Sequence, residues 1–156
     1  MKQLTYVFFA LALIVAGFTF SALNAHAQTG KQKPGVVYDA NITRVIDGDT
    51  VAVEAPWLPD PLKKELSIRV FGVDTPEKGH RAQCPSEAQR GEAASKFTKD
   101  MIAASQKRQV VLMDWDKYGG RVLGDVILDG KSLRQGLIAN GLAREYYGEA
   151  KTSWCN

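Results

Sequence analysis

Two short acidic segments are the first places where this chain could do chemistry. One is Asp47-Gly48-Asp49-Thr50 and the other is Asp74-Thr75-Pro76-Glu77. Carboxylates and backbone carbonyls are hard oxygen donors suited to Ca²⁺ or Mg²⁺. Taken singly, each segment is also an ordinary turn, since Asp-Gly and Asp-Thr-Pro both favour turns. Two arginines sharpen the reading. Arg69 stands inside Ile68-Arg69-Val70, an apolar strand pattern where a guanidinium is costly without an anionic partner. The alternative is the solvent face of an edge strand. Arg121 follows Tyr118-Gly119-Gly120 at the start of another strand pattern. Two forked donors suit the oxygens of a phosphodiester as charge develops in its transition state. His80 is a possible base, but it sits in a polar loop beyond the acidic segment and reads as a solvated histidine.

The elements that must carry these residues are legible in the periodicity. Residues 36–45 alternate loosely and read as a strand, Asp47-Gly48 as a hairpin turn, and residues 50–54 as the returning strand. Pro56, Pro59 and Pro61 then force a loop. Residues 66–73 read as a third strand, with Leu66, Ile68, Val70 and Gly72 on one face, stopped by Pro76. Residues 86–105 change to a helical period carried by Ala93, Phe97 and Met101, with Ala94 and Ile102 beside them. Ser86 and Gln89 have the spacing of a capping box. Residues 109–113 and 122–128 are two more strands, and Asp129-Gly130 is a turn. Residues 132–140 are a short helix with Leu133, Leu137 and Ile138 inward, closed by Gly141. Five strands with an interposed helix fit an OB-type barrel, and equally an open α+β sheet.

The chain has 156 residues, 45% hydrophobic and 24% charged, which suits one globular domain. Its N-terminus differs from the rest. Lys2 is followed by an uncharged apolar run over residues 4–23 and then Ala25-His26-Ala27. This is the order of a secretory signal cleaved after Ala27. A retained membrane anchor is the alternative, because the run is long enough to span a bilayer. Both place the folded part outside the cytoplasm, periplasmic or secreted. The expected organisation is a signal peptide over residues 1–27, a flexible lead-in over 28–35 and one domain over 36–156. Without residues 1–27 the chain keeps 19 basic and 17 acidic residues, a net charge of +2. That balance is too mild to establish a nucleic-acid partner by itself. Cys84 and Cys155 are the two cysteines, both in the exported part, where an oxidising compartment favours a disulfide over two free thiols. Such a bond would pin the C-terminus beside the loop that carries Glu77.

Three ordered motifs resemble the thermonuclease family of staphylococcal nuclease. They are Ile46-Asp47-Gly48-Asp49-Thr50, Arg69-Val70-Phe71-Gly72-Val73-Asp74-Thr75-Pro76-Glu77 and Asp116-Lys117-Tyr118-Gly119-Gly120-Arg121. Gly91, Ala94 and Phe97 in the helix and Asn140-Gly141-Leu142-Ala143 are similar to it as well. The resemblance runs over about residues 45–147. It implies a mainly β fold with helices (α+β), a five-stranded OB-fold barrel with two helices. It also implies roles. Asp49 and Asp74 would ligate Ca²⁺ through carboxylates and Thr75 through its carbonyl, with Asp47 behind them. Glu77 would act as general base or orient the attacking water. Arg69 and Arg121 would clamp the scissile phosphate. Tyr118 would lie against the nucleotide, and Tyr146 or Tyr147 would help hold a terminal phosphate. The implied activity is calcium-dependent endonucleolytic hydrolysis of DNA or RNA to products ending in 3′-phosphate, by a monomer with no stable membrane association after cleavage of the signal.

Two departures stand out. Gly119-Gly120 is one residue longer than the family's Tyr-Gly-Arg, although glycine can absorb an extra turn. The chain also ends nine residues after Tyr147, where longer members continue into another helix. Two other readings compete. A catalytically inactive OB domain that only binds nucleic acid would lose the carboxylates and arginines, and this chain keeps Asp49, Arg69, Asp74, Glu77 and Arg121. A structural surface protein with incidental turns offers no reason for the two arginines.

Overall fold

A computed structural model describes residues 34–56, 58–62 and 64–155. The expected signal segment and residues 28–33 of the lead-in lie outside the described residues. In chain order the elements are β1 (Val36–Asp39), β2 (Ile42–Asp47), β3 (Thr50–Glu54), β4 (Glu65–Val70) and β5 (Val73–Asp74). A 3₁₀ turn (Gly79–Arg81) and the helix α1 (Pro85–Ala104) follow. Then come β6 (Arg108–Trp115), β7 (Val122–Leu128), β8 (Lys131–Ser132), α2 (Leu133–Ala139) and β9 (Arg144–Glu145).

The main sheet runs in the order β1-β6-β7-β4-β3-β2, with β4 and β7 parallel and the other neighbours antiparallel. Its two outer strands are consecutive in the chain. The single strand expected over residues 36–45 divides at Ala40 and Asn41, because its halves serve different neighbours. β1 pairs with β6, and β2 pairs with β3. Ala40 N donates to the Arg108 carbonyl at 3.0 Å, and Glu54 N donates to the Asn41 carbonyl at 2.9 Å. Two residues span at most about 7 Å, so the chain itself brings the two ends of the ladder together. With β1 and β2 taken as one bent strand, the sheet has the five strands of an OB-type fold, mainly β with two helices. Valines and isoleucines that alternate along the strands (Val51, Val53, Ile68, Val70, Val110, Val126) meet Leu133 and Leu137 of α2 in the core. β8 extends β7, and the turn between them holds Asp129 at φ 48° and Gly130 at φ 79°. Two positive φ angles in succession are what a tight hairpin of this hand requires.

Three expectations are corrected here. The third strand stops at Val70 rather than Val73, since Gly72 takes φ 76° and turns the chain; Val73 and Asp74 then pair with β9. The cap of α1 is Cys84, not Ser86. Pro85 occupies the first helical position, where its fixed φ and missing N–H are harmless, and the Cys84 sulfur accepts from Glu87 N at 3.4 Å. Ala93 is exposed. The buried stripe of α1 holds Ala94 and Ile102 as expected, together with Glu87, Gly91, Ser95 and Thr98. Small and polar residues are needed there because the helix lies close on the β2–β3 turn. A Cβ at Gly48 would fall 2.7 Å from Ala94 Cβ, and Thr98 Oγ1 donates to the Gly48 carbonyl at 2.6 Å. Phe97 and Met101 face α2, against Gly136. Among the described residues no helix is long and apolar enough to cross a membrane.

Candidate active site

The floor of the site is built where β3, β4 and β5 meet. Antiparallel register sets Thr50 opposite Arg69 and so places Asp49 beside the Arg69 side chain. Arg69 Nη1 donates to Asp49 Oδ1 at 2.9 Å, and Arg69 Nη2 reaches the Val73 carbonyl at 3.3 Å. Thr50 Oγ1 donates to the same Asp49 oxygen at 2.9 Å. Both side-chain contacts of Asp49 therefore fall on Oδ1. The Asp49 side chain is 3% exposed and that of Arg69 17%, so removing either partner would leave a charge with little water to solvate it.

Asp74 and Thr75 are buried directly after the Gly72 turn. Trp154 Nε1 donates to Asp74 Oδ2 at 3.1 Å. Asp74 Oδ1 is buried and accepts no hydrogen bond, although the Lys151 ammonium stands 2.6 Å away. The close ion pair offsets the burial of this carboxylate, and a hard cation could take the ammonium's place on the same oxygen. Among the described residues, the group of three possible ligands within 4.8 Å of one another is Cys84, Glu87 and Cys155, and there the sulfurs are joined in a disulfide. Asp49, Asp74 and Glu77 are not grouped so closely. The buried carboxylates of Asp49 and Asp74 and the Thr75 carbonyl are all hard oxygen donors, the chemistry that Ca²⁺ or Mg²⁺ takes.

Glu77 is exposed at its carboxylate, 39% for the side chain, and its backbone is fixed. Glu87, buried in the first turn of α1, accepts Glu77 N through Oε1 at 3.3 Å and Gln83 N through Oε2 at 2.7 Å. One turn later Gly91 leaves room for the Glu77 carbonyl, from which a Cβ would be only 2.3 Å away. Arg81 Nε lies 3.4 Å from Glu77 Oε2, while its Nη2 is 2.6 Å from both oxygens of Asp47. The Asp47 hydrogen bond holds Arg81 above its ordinary pKa, against the opposing effect of burial. Asp47, with Lys78 also 3.9 Å away, is engaged with the loop that carries Glu77.

The extra glycine of the β6–β7 hairpin is absorbed in the turn. Gly119 and Gly120 both take φ 73°, and Asp116 N donates to the Arg121 carbonyl at 3.0 Å to close it. Arg121 Nε donates to Asp116 Oδ2 at 2.5 Å. Burial alone would raise the Asp116 carboxyl, but hydrogen bonds from Arg121 and the Tyr118 N–H hold it below the usual carboxylate range.

An open groove of about 440 Å³ is lined by Arg69, Glu77 and Arg121, with Asp116, Lys117, Tyr118, Tyr146 and Tyr147. Asp49, Asp74 and Thr75 are buried and are not part of its lining. Tyr118 is 77% exposed, with Lys117 Nζ 5.0 Å from its ring centre. Tyr147 accepts from Arg134 Nη2 at 2.8 Å and packs edge-on against Phe71. His80 is exposed in the 3₁₀ turn. Cys84 and Cys155 form a disulfide with Cα atoms 5.9 Å apart, which ties the C-terminus to the start of α1.

Several supporting roles have no reading in the sequence, although Gly91 and Asp116 fall within the motifs quoted above. Glu87 and Gly91 act on the Glu77 backbone, Asp116 on Arg121, and Trp154 and Lys151 on Asp74. A glycine inside a helical pattern and an acid three residues after Cys84 are the signals that could have found the first two. Nothing in the sequence places Trp154 or Lys151 against Asp74, which is about 80 residues away.

A family profile described as staphylococcal nuclease homologue matches residues 67–154. A thermonuclease of Staphylococcus hyicus is 31% identical over 153 residues, covering 92% of this chain and 82% of the relative. Endonuclease YncB of Bacillus subtilis (strain 168) is 36% identical over 135 residues, covering 80% of this chain and 59% of the relative. The SPbeta prophage-derived endonuclease YokF of the same strain is 36% identical over 112 residues, 70% of this chain and 34% of that one. The chain therefore spans about three fifths of YncB and a third of YokF, but most of the thermonuclease. It belongs to the staphylococcal nuclease family.

Proposed function

We propose that this staphylococcal nuclease homologue is an exported, calcium-dependent endonuclease that hydrolyses phosphodiester bonds of DNA or RNA and leaves 3′-phosphate ends. One arrangement supports it above all. Glu77, Arg69 and Arg121 line a single groove beside two buried carboxylates, and each arginine is already held by an acid of its own. Asp49, Asp74 and the Thr75 carbonyl would hold the metal, which would offset phosphate charge and order water when bound. Calcium suits a site with few protein ligands and room for waters better than magnesium does. Arg69 and Arg121 donate to the phosphate oxygens where charge develops, and Asp49 and Asp116 keep both guanidiniums aimed before substrate arrives. Glu77 takes a proton from the attacking water. The new P–O bond forms as the bond to the 5′-oxygen breaks, and the phosphate stays on the 3′-oxygen. Tyr118 offers an exposed ring to a base, which requires no particular sequence.

The names of the relatives, thermonuclease and endonuclease, favour the same activity. Residues 1–27 have the order of a cleaved signal, and the Cys84–Cys155 disulfide suits an oxidising compartment, periplasmic or external. We read the exported part as a monomer without stable membrane association. The test is digestion of plasmid DNA and of RNA by the purified mature protein with Ca²⁺, with Mg²⁺ and with chelator. Cleavage with Ca²⁺ and none with chelator is the expected result. Full cleavage in excess chelator would remove the metal from the mechanism, and binding without cleavage in any metal would favour an inactive nucleic-acid-binding domain.

A further inference from the structure

We infer that Lys151 is a built-in competitor for the metal carboxylate Asp74, so that this one lysine sets how tightly the protein binds calcium. The inference rests on the reading above that Asp74 is a metal ligand. Asp74 is buried, and the neutral donor on its side chain is the Trp154 indole, on Oδ2. Oδ1 faces the Lys151 ammonium at 2.6 Å. A buried carboxylate is costly unless a cation is near. Lys151 supplies that cation from the chain itself.

The lysine is placed to do this and then to leave. The segment that follows it is held by two arginines and the disulfide. Arg144 Nη1 donates to Thr152 Oγ1 at 2.7 Å and to the Ser153 carbonyl at 3.0 Å, and its guanidinium lies 3.7 Å from the Trp154 ring centre. Arg90 Nη1 reaches the Trp154 carbonyl at 3.3 Å, and the next residue, Cys155, is bonded to Cys84. The Lys151 side chain, by contrast, is about half exposed and lines the groove. Its stem can swing into water without unfolding the segment. Two cations cannot share one carboxylate oxygen at this range without strong repulsion. Calcium therefore has to displace the ammonium, and its apparent affinity is lowered by the strength of the Lys151–Asp74 pair.

The experiment is a calorimetric titration of Ca²⁺ into the mature, disulfide-bonded protein without nucleic acid. It compares the wild type with Lys151→Met, Lys151→Arg and Lys131→Met. Lys131→Met makes the same change of net charge on the exposed strand β8, outside the site. Lys151→Met should bind calcium about tenfold more tightly, a partly exposed ion pair being worth that order of affinity. Lys151→Arg should stay nearer the wild type, and Lys131→Met should change Kd by less than about twofold. At a fixed calcium concentration the metal should also raise Tm more for Lys151→Met than for the wild type. An unchanged or weaker Kd for Lys151→Met overturns the inference, as does an equal tightening in Lys131→Met. Absence of calcium binding in every variant, wild type included, would instead strike the assignment of Asp74 as a ligand.

Discussion

Gly91→Ala is the substitution for which the structure and general experience give opposite signs. In a helix interior alanine is ordinarily better than glycine by roughly 1 kcal/mol. At this position the added Cβ would lie 2.3 Å from the Glu77 carbonyl oxygen, 2.6 Å from its carbon and 2.8 Å from the Pro76 oxygen. A carbon–oxygen contact relaxes at about 3.3 Å, so about 1 Å of movement is required. All three neighbours are backbone, and no flexible side chain can give way. The loop cannot retreat freely either, since Glu77 N is held by Glu87 on the same helix at 3.3 Å. Overpacking of this kind costs roughly 1–3 kcal/mol. Set against the propensity gain, the variant should lose up to about 2 kcal/mol of stability instead of gaining about 1. The larger effect falls on catalysis, where displacing a reacting group by about 1 Å costs on the order of 10²-fold. Equilibrium urea unfolding and steady-state cleavage kinetics, run on the same preparation, read both quantities. A variant that is more stable than wild type and cleaves at the full rate would show that α1 does not set the position of Glu77.

Other expectations follow from single contacts. Arg121→Lys keeps the charge but loses the planar fork and the Nε bond to Asp116, so kcat should fall on the order of 10²-fold; a wild-type rate would mean the longer hairpin does not deliver this residue to the phosphate. Replacing both cysteines, Cys84 by Ser and Cys155 by Ala, opens a loop closed over a separation of 71 residues. It should lower stability by up to about 4 kcal/mol, read as a shift of the urea midpoint, and coincident midpoints would refute it. The depressed Asp116 carboxyl contributes stability that is present above its unfolded value and lost as pH falls below about 4. Wild-type protein should therefore lose more stability between pH 6 and pH 3 than Asp116→Asn does, and equal losses would contradict the assignment.

Much of the site was legible because local signals and chemistry coincide there. The strands over residues 50–54 and 122–128 keep their boundaries; the first acidic segment falls where β3 begins, the second where β5 ends, and Arg121 directly precedes β7. Periodicity failed where a tertiary demand overrode it. The strand expected over residues 36–45 breaks because two different neighbours claim its halves, which no local pattern encodes. Gly48 does lie in the turn between β2 and β3, and it leaves room for Ala94 besides, which no local pattern shows. On the helix, hydrophobicity finds Ala94, Ile102, Phe97 and Met101 correctly and misplaces only Ala93, while Gly91, Ser95 and Thr98 of the face against the sheet are small or polar and escape it. The cap lies two residues before Ser86 because Pro85 suits the first helical position and leaves Cys84, an unusual N-cap, to accept the bond. The contacts of Trp154 and Lys151 with Asp74 join distant parts of the chain and have no signature in spacing.

The claim on which the rest depends is that Glu77 acts on the attacking water at this groove. It is tested most directly by the cleavage rate of Glu77→Gln at saturating calcium, with the melting temperature measured alongside. The amide keeps the shape of the side chain and cannot take the proton. The account predicts a fall in kcat of about 10² to 10⁴-fold with melting unchanged. A variant that cleaves within a few-fold of the wild type would contradict it.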